Sequence, residues 1–205
     1  FKIVLGEMST DPPQLVIEND PRIGWTRQNP EPDTPEETLL EYSLRGIPGL
    51  SEMEAEMLEL ESDLEDPAKL KRYGELQTKF EHLGGYDIET RVKVALGGLG
   101  FTVEEFAKPF KSFSGGWRMR AELSRVLASK PDLLLLDEPS NYLDLPAVEW
   151  LQKFLKAYDG TLMLISHDRF LLRTLTDTIV EVDAGTATRY EGNLDYYLTE
   201  REVRY

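Results

Sequence analysis

From about residue 113 onward the chain alternates short apolar runs with stretches whose apolar residues recur at helical spacing. Leu133 to Leu136 is four consecutive leucines, Thr161-Leu-Met-Leu-Ile165 is a second run, and Thr178-Ile-Val-Glu-Val182 is a third. Runs this short, bounded by turn residues, predict strands, the first two of them buried. Between them, Met119, Leu123, Val126 and Leu127 lie along one side of a helix opening at Gly116. Asp144-Leu-Pro146 caps another helix to about Tyr158, and Asp168 starts a third. Strand and helix in strict alternation predict a parallel-sheet core. Asp183-Ala-Gly-Thr186 reads as a hairpin turn into Ala187 to Glu191, and a last helix runs from about Asn193.

The first half carries a different period. Gln14 to Glu18 and Arg22 to Gln28 are β-like runs around the turn signal Asn19-Asp20-Pro21 and predict a hairpin. Phe1 to Met8 reads as the last turns of a helix ending near Gly6, and with no cap before it the pattern suggests a native chain that extends upstream. Thr34-Pro-Glu-Glu37 has capping-box spacing and predicts a helix to about Arg45; Ser51-Glu-Met-Glu54 repeats the signature. Met53, Met57, Leu60 and Leu64 then form one apolar stripe. Asp66-Pro67 caps a second helix with Leu70, Tyr73, Leu76 and Phe80 at helical spacing, and the two predict an antiparallel helical hairpin over residues 51–83 that ends at Gly84-Gly85. Asp87 to Leu99 is a further helix, and Thr102-Val-Glu-Glu105 caps a short one. The expected organisation is one α/β domain with three parts: a β-rich segment over residues 1–30, a helical subdomain over 31–112 and a core over 113–205.

Charge and composition narrow the function. Formal net charge is −15, which opposes tight non-specific binding to nucleic acid or anionic membrane. Much of it is local: thirteen carboxylates and the single base Arg45 lie between Glu31 and Asp66. This is the pattern of a solvated helical face, or of a surface that meets a basic protein. No apolar run approaches the ~20 residues of a membrane span. These residues show no charged n-region followed by an apolar h-region, so nothing in them suggests secretion, and with no cysteine they form no disulfide or thiolate metal site; the cytoplasm is the expected compartment.

Two stretches carry candidate chemistry. Ser114-Gly115-Gly116 is a flexible turn opening a helix, whose terminus offers unpaired N–H groups and a positive dipole end to a phosphate. Asp137-Glu138 ends a strand at the edge where open parallel sheets bind ligands; the Asp suits Mg²⁺ and the Glu suits accepting a proton from an attacking water. His167 ends the next strand and is expected beside them, whereas His82 in the helical hairpin is expected to be structural. Ser166, His167 and Asp168 are consecutive and cannot fold onto one another as a hydrolytic triad. Gly98-Leu-Gly100 lacks a third glycine and a preceding strand, which excludes a dinucleotide fingerprint.

These residues resemble the ATP-binding cassette (ABC) family across essentially the whole chain. Phe113-Ser-Gly-Gly-Trp-Arg-Met-Arg120 resembles its signature, Leu133 to Glu138 its Walker B strand with the catalytic Glu, and Ser140-Asn-Tyr-Leu-Asp144 its D-loop. His167 is similar to the H-switch and Gln28 to the Q-loop glutamine. Trp117, Ser166 to Leu171, and Tyr190-Glu-Gly-Asn193 with Tyr197 are most like the first cassette of ABC-F proteins, in which residues 51–83 correspond to the arm. The resemblance implies a P-loop NTPase-like α/β cassette that binds ATP and Mg²⁺. Asp137 and Gln28 would then contact the metal, Glu138 would be the general base, and His167 would steady the γ-phosphate. Ser114, Gly115 and Gly116, with the D-loop Asp144, would complete nucleotide binding, the signature residues serving the site of a second cassette. It further implies the ribosome as partner, with any rRNA contact made by local bases, the second cassette or a linker. Ser140 and Tyr142 depart from the Thr and His more usual in ABC-F. No Gly-x-x-x-x-Gly-Lys-[Ser/Thr] loop is present, so these residues alone are expected neither to bind ATP tightly nor to hydrolyse it. A transporter nucleotide-binding subunit and a regulatory cassette without a P-loop are the alternatives.

Overall fold

The computed structural model describes residues 1–8, 17–27 and 29–204, and it divides them into two compact units. The first comprises Phe1–Trp25 and Asp132–Tyr205, the second Thr26–Pro131. The second unit therefore runs past residue 112 and takes in the helix that begins after Ser114, which the sequence pattern groups with the core.

The first unit holds a parallel sheet of β1 (Ile23–Trp25), β2 (Leu133–Asp137) and β3 (Thr161–Ile165), in that order. β2 is central, with Ile23 opposite Leu133 on one side and Leu133 opposite Thr161 on the other. A central strand buries both faces, which is why four leucines in a row suit it: Leu134, Leu135 and Leu136 are at most 1% exposed. The second apolar run does not share this burial. β3 is the outer strand among the described residues, and Met163 and Ile165 on one of its faces are 45% and 46% exposed. β1 runs parallel to β2, and most of Gln14 to Glu18, the first arm of the hairpin expected at the start, does not fall among the described residues; Asn19 and Asp20 both have positive φ. The third run does not join the parallel sheet. As β4 (Ile179–Asp183) it pairs antiparallel with β5 (Thr186–Tyr190) through the expected turn, with φ positive at Ala184 and Gly185.

Three helices complete the described part of this unit. α6 (Leu145–Lys156) is capped by Asp144, whose carboxylate accepts from the Ala147 N–H with Pro146 in the first turn. α7 (Arg169–Leu175) is capped by Asp168, and α8 (Leu194–Arg204) comes after Asn193, whose side chain accepts from the Tyr196 N–H. Phe1 to Met8 makes a single turn closed as a Schellman motif: Gly6 N–H reaches Ile3 O, Glu7 N–H reaches Lys2 O, and Gly6 has φ 70°.

The second unit is helical, comprising α1 (Leu39–Leu44), α2 (Leu50–Leu60), α3 (Pro67–His82), α4 (Ile88–Gly98) and α5 (Gly115–Ala128). The capping box of α1 is Thr38 with Glu41, one turn beyond the expected Thr34 with Glu37. Both segments read Thr-x-x-Glu, but Glu37 is drawn into a pair with the half-buried Arg45, its carboxylate 2.7 Å from the guanidinium Nε. α2 is preceded by Gly49 in the left-handed region with no side-chain cap, so Ser51 lies inside the helix. Asp66 caps α3 as expected, and α2 packs on α3 through Met53, Met57, Leu76 and Phe80. Leu70 of the expected stripe is exposed. The core continues through Leu39, Tyr42, Val92, Leu96, Phe110 and Ala121, with the Tyr42 and Phe110 rings stacked at 3.8 Å. No helix among the described residues is long and apolar enough to cross a membrane.

Candidate functional site

The C-terminal edge of the parallel sheet gathers three of the residues singled out in the sequence. Asp137 ends β2 opposite Ile165, the last residue of β3. The next peptide prolongs the ladder, with Glu138 N–H donating to Ile165 O at 2.8 Å, and Glu138 then turns the chain out of the strand with φ 48°. A left-handed conformation is costly for a residue with a Cβ, and such positions concentrate where function demands them. The two strands run side by side into this edge, so His167, two residues past β3, comes close: its Nε2 lies 3.7 Å from Glu138 Oε1. The imidazole is fully exposed, while Oε1 is buried and accepts no hydrogen bond among the described residues.

An unpaired carboxylate oxygen beside an exposed imidazole can take a proton from a water or hold a polarised ligand between the two groups. Among the described residues no cluster of three or more metal-ligating side chains exists. A hard cation at Asp137 would therefore complete its shell with phosphate oxygens and water, the usual arrangement for Mg²⁺ on a nucleotide, and the donor set fits that group. Ser166 and Asp168 are occupied locally: Ser166 Oγ accepts from Asp168 N–H, and Asp168 caps α7 through the Phe170 and Leu171 N–H groups. They form no triad with His167. Asp144 is likewise the N-cap of α6.

Ser114, Gly115 and Gly116 belong to the other unit, where Ser114 is the N-cap of α5 and makes no side-chain cap bond. The first N–H groups of a helix of 14 residues thus start from an exposed Ser-Gly pair, as an anion-binding terminus requires. Phe101 meets both Phe113 and Trp117 edge-on, and the Arg120 guanidinium lies 4.5 Å from the Trp117 ring while donating to Leu99 O. These contacts hold the turn in place. Gln28 lies outside the described residues.

Sequence reasoning passed over a buried charge cluster within α5. Glu122 is wholly buried; its carboxylate receives Arg125 Nε at 2.7 Å and Nη2 at 2.8 Å, the Arg27 N–H at 2.8 Å, and the hydroxyl of Tyr42. Burial drives its pKa up, but the bonds and charge of Arg125 and the donors Tyr42 and Arg27 outweigh it and leave the carboxyl below its ordinary value. Tyr42 is pushed well above the ordinary phenol value by burial and by the Glu122 charge. The available signal was Glu-x-x-Arg on the apolar side of a helix.

A family model described as ABC transporter matches residues 6–141. The chain is similar to the probable ATP-binding protein YheS of Escherichia coli K12, 36% identical over 202 residues, which cover 98% of this chain and 31% of that protein. It is similar to the ATP-binding protein Uup of Haemophilus influenzae, 34% identical over 205 residues, again 98% of this chain and 31% of that one. It thus spans about a third of the length of the curated relatives it matches. Its fold matches that of the ATP-binding cassette MJ0796, solved as a post-hydrolysis dimer bound to ADP and Pi, with TM-score 0.53 at 19% identity over 83% of this chain and 62% of that one.

Proposed function

Because the chain belongs to the ABC transporter family of ATP-binding cassettes, we propose that it is the cassette domain of an ABC-F type ATPase, in which ATP binding and hydrolysis drive closure of two cassettes on the ribosome. YheS and Uup, its curated relatives, are ABC-F proteins. The proposal rests on the site at the end of β2 and β3: a strand-terminal Asp137, a Glu138 with a buried, unpaired oxygen, and His167 3.7 Å from it.

In this reading Asp137 and Gln28 hold Mg²⁺ and Glu138 accepts the proton of the attacking water. His167 steadies the terminal phosphate, and Asp144 of the D-loop lies at the nucleotide interface. Mg²⁺ held by Asp137 and Gln28 would offset the negative charge that develops on the phosphate oxygens. Ser114, Gly115 and Gly116 present N–H groups to the nucleotide of a second cassette, so the two motifs serve two different sites.

The reading is tested in the full-length protein. Glu138→Gln keeps the shape of the side chain but not its basicity, and should lower ATP turnover by about 10²–10⁴-fold while ATP still binds and holds the protein on sedimenting ribosomes. Turnover at the wild-type rate would defeat the assignment of Glu138. A wild-type protein that never sediments with ribosomes in ATP would defeat the choice of partner. The 205 residues alone, which contain no P-loop lysine motif, should show neither ATPase turnover nor calorimetric ATP binding at micromolar concentration.

A further inference from the structure

We propose that Glu122 is a positioning residue that couples two nucleotide sites, by tying the signature helix to the peptide that precedes Gln28. The inference rests on reading Ser114–Gly116 and Gln28 as parts of different ATP sites.

Glu122 lies in α5, the helix that Ser114 caps, two turns beyond the phosphate-binding terminus and so about 12 Å along the same rod. Its carboxylate accepts the backbone N–H of Arg27 at 2.8 Å, across 95 residues of sequence. Arg27 immediately precedes Gln28, and only Thr26 separates it from the end of β1. A shift of α5 on engaging a nucleotide at Ser114–Gly116 is therefore passed to the Arg27 peptide, which Gln28 follows in sequence, through one helix and one charge-assisted hydrogen bond.

The remaining contacts hold the carboxylate in that pose. Arg125 grips it with two N–H groups from one turn further along α5, and Tyr42, wholly buried and stacked on Phe110, donates its hydroxyl. Packing alone does not call for such an arrangement, since an apolar side chain would fill this interior position without the desolvation of a charge. What an apolar residue could not supply is the acceptor for Arg27.

Two variants of the full-length protein separate position from stability. Glu122→Gln with Arg125→Met keeps an acceptor for the Arg27 N–H and leaves Tyr42 as partner of the new amide. Tyr42→Phe with Glu122→Met and Arg125→Met removes every polar partner, so the Arg27 N–H loses its acceptor. Both should melt within a few degrees of each other. The first should keep the wild-type protection of the Arg27 amide against hydrogen exchange and a Hill coefficient for ATP turnover above 1. The second should exchange that amide about tenfold faster or more, as loss of a bond to a charged group implies, with the Hill coefficient reduced to about 1. The proposal is overturned if the Met variant keeps slow exchange and cooperativity, if the Gln variant loses both, or if the wild type itself turns over ATP without cooperativity. A wild type with no ATP turnover at all defeats the functional reading instead, and the exchange measurement still decides whether Glu122 holds Arg27.

Discussion

Replacing Arg125 with Met should be among the most destabilising single changes in the helical unit. The substitution preserves length and helix propensity, but it takes two charge-assisted hydrogen bonds, at 2.7 and 2.8 Å, from a carboxylate with no exposed surface. Glu122 then keeps only the Arg27 N–H and the Tyr42 hydroxyl. Breaking a buried pair from one side costs about 3–5 kcal/mol, because the surviving charge stays desolvated. For a chain of this size about 2–4 °C accompanies each kcal/mol, so the melting midpoint should fall by roughly 6–20 °C. The pH dependence gives a sharper signature. In the wild type the Glu122 pKa is lowered, so its contribution is present above the unfolded value near 4.3 and is lost as pH falls through the folded one. Without Arg125, desolvation dominates and the folded pKa rises; the variant is then least destabilised at low pH and loses ground as pH rises through that value. Circular dichroism melts from pH 4 to 8 on both proteins test this. A midpoint change under about 3 °C, or parallel pH profiles, would refute the claim that a buried ion pair holds this helix.

Two further outcomes are expected from the same geometry. Tyr42 and Tyr158 have raised pKa values, Tyr158 pushed up to about 12 chiefly by burial, so stability should be full below pH 10 and fall as pH rises through the folded values; Tyr42→Phe should flatten that alkaline limb by up to about 1.4 kcal/mol per pH unit. Thr38→Ala should cost about 1 kcal/mol in urea denaturation by removing the capping box of α1, whereas Thr34→Ala should change little.

Much of the architecture was legible because it is set by neighbours in sequence. The caps at Asp66, Thr102, Asp144 and Asp168, the turn at Ala184-Gly185 and the helical hairpin all arise from side chains and peptides a few residues apart. The grouping of Asp137, Glu138 and His167 was legible for a related reason, since parallel strands of equal length deliver the residues at their C-terminal ends to one edge. Local signals failed where a distant partner competed for the same group. Thr34 and Thr38 offer equal capping boxes, and the choice turns on Arg45 claiming Glu37. An apolar run says that a strand wants burial, yet β3 stays half open because it is the outer strand among the described residues, and β4 takes β5 as its partner. Sequence alone thus determined the kinds of elements, most of their ends and which residues meet at the sheet edge. Tertiary structure decided which strands pair, where α5 belongs and why a charge lies inside it, because the Arg27 peptide that Glu122 holds becomes its neighbour only once the chain has folded.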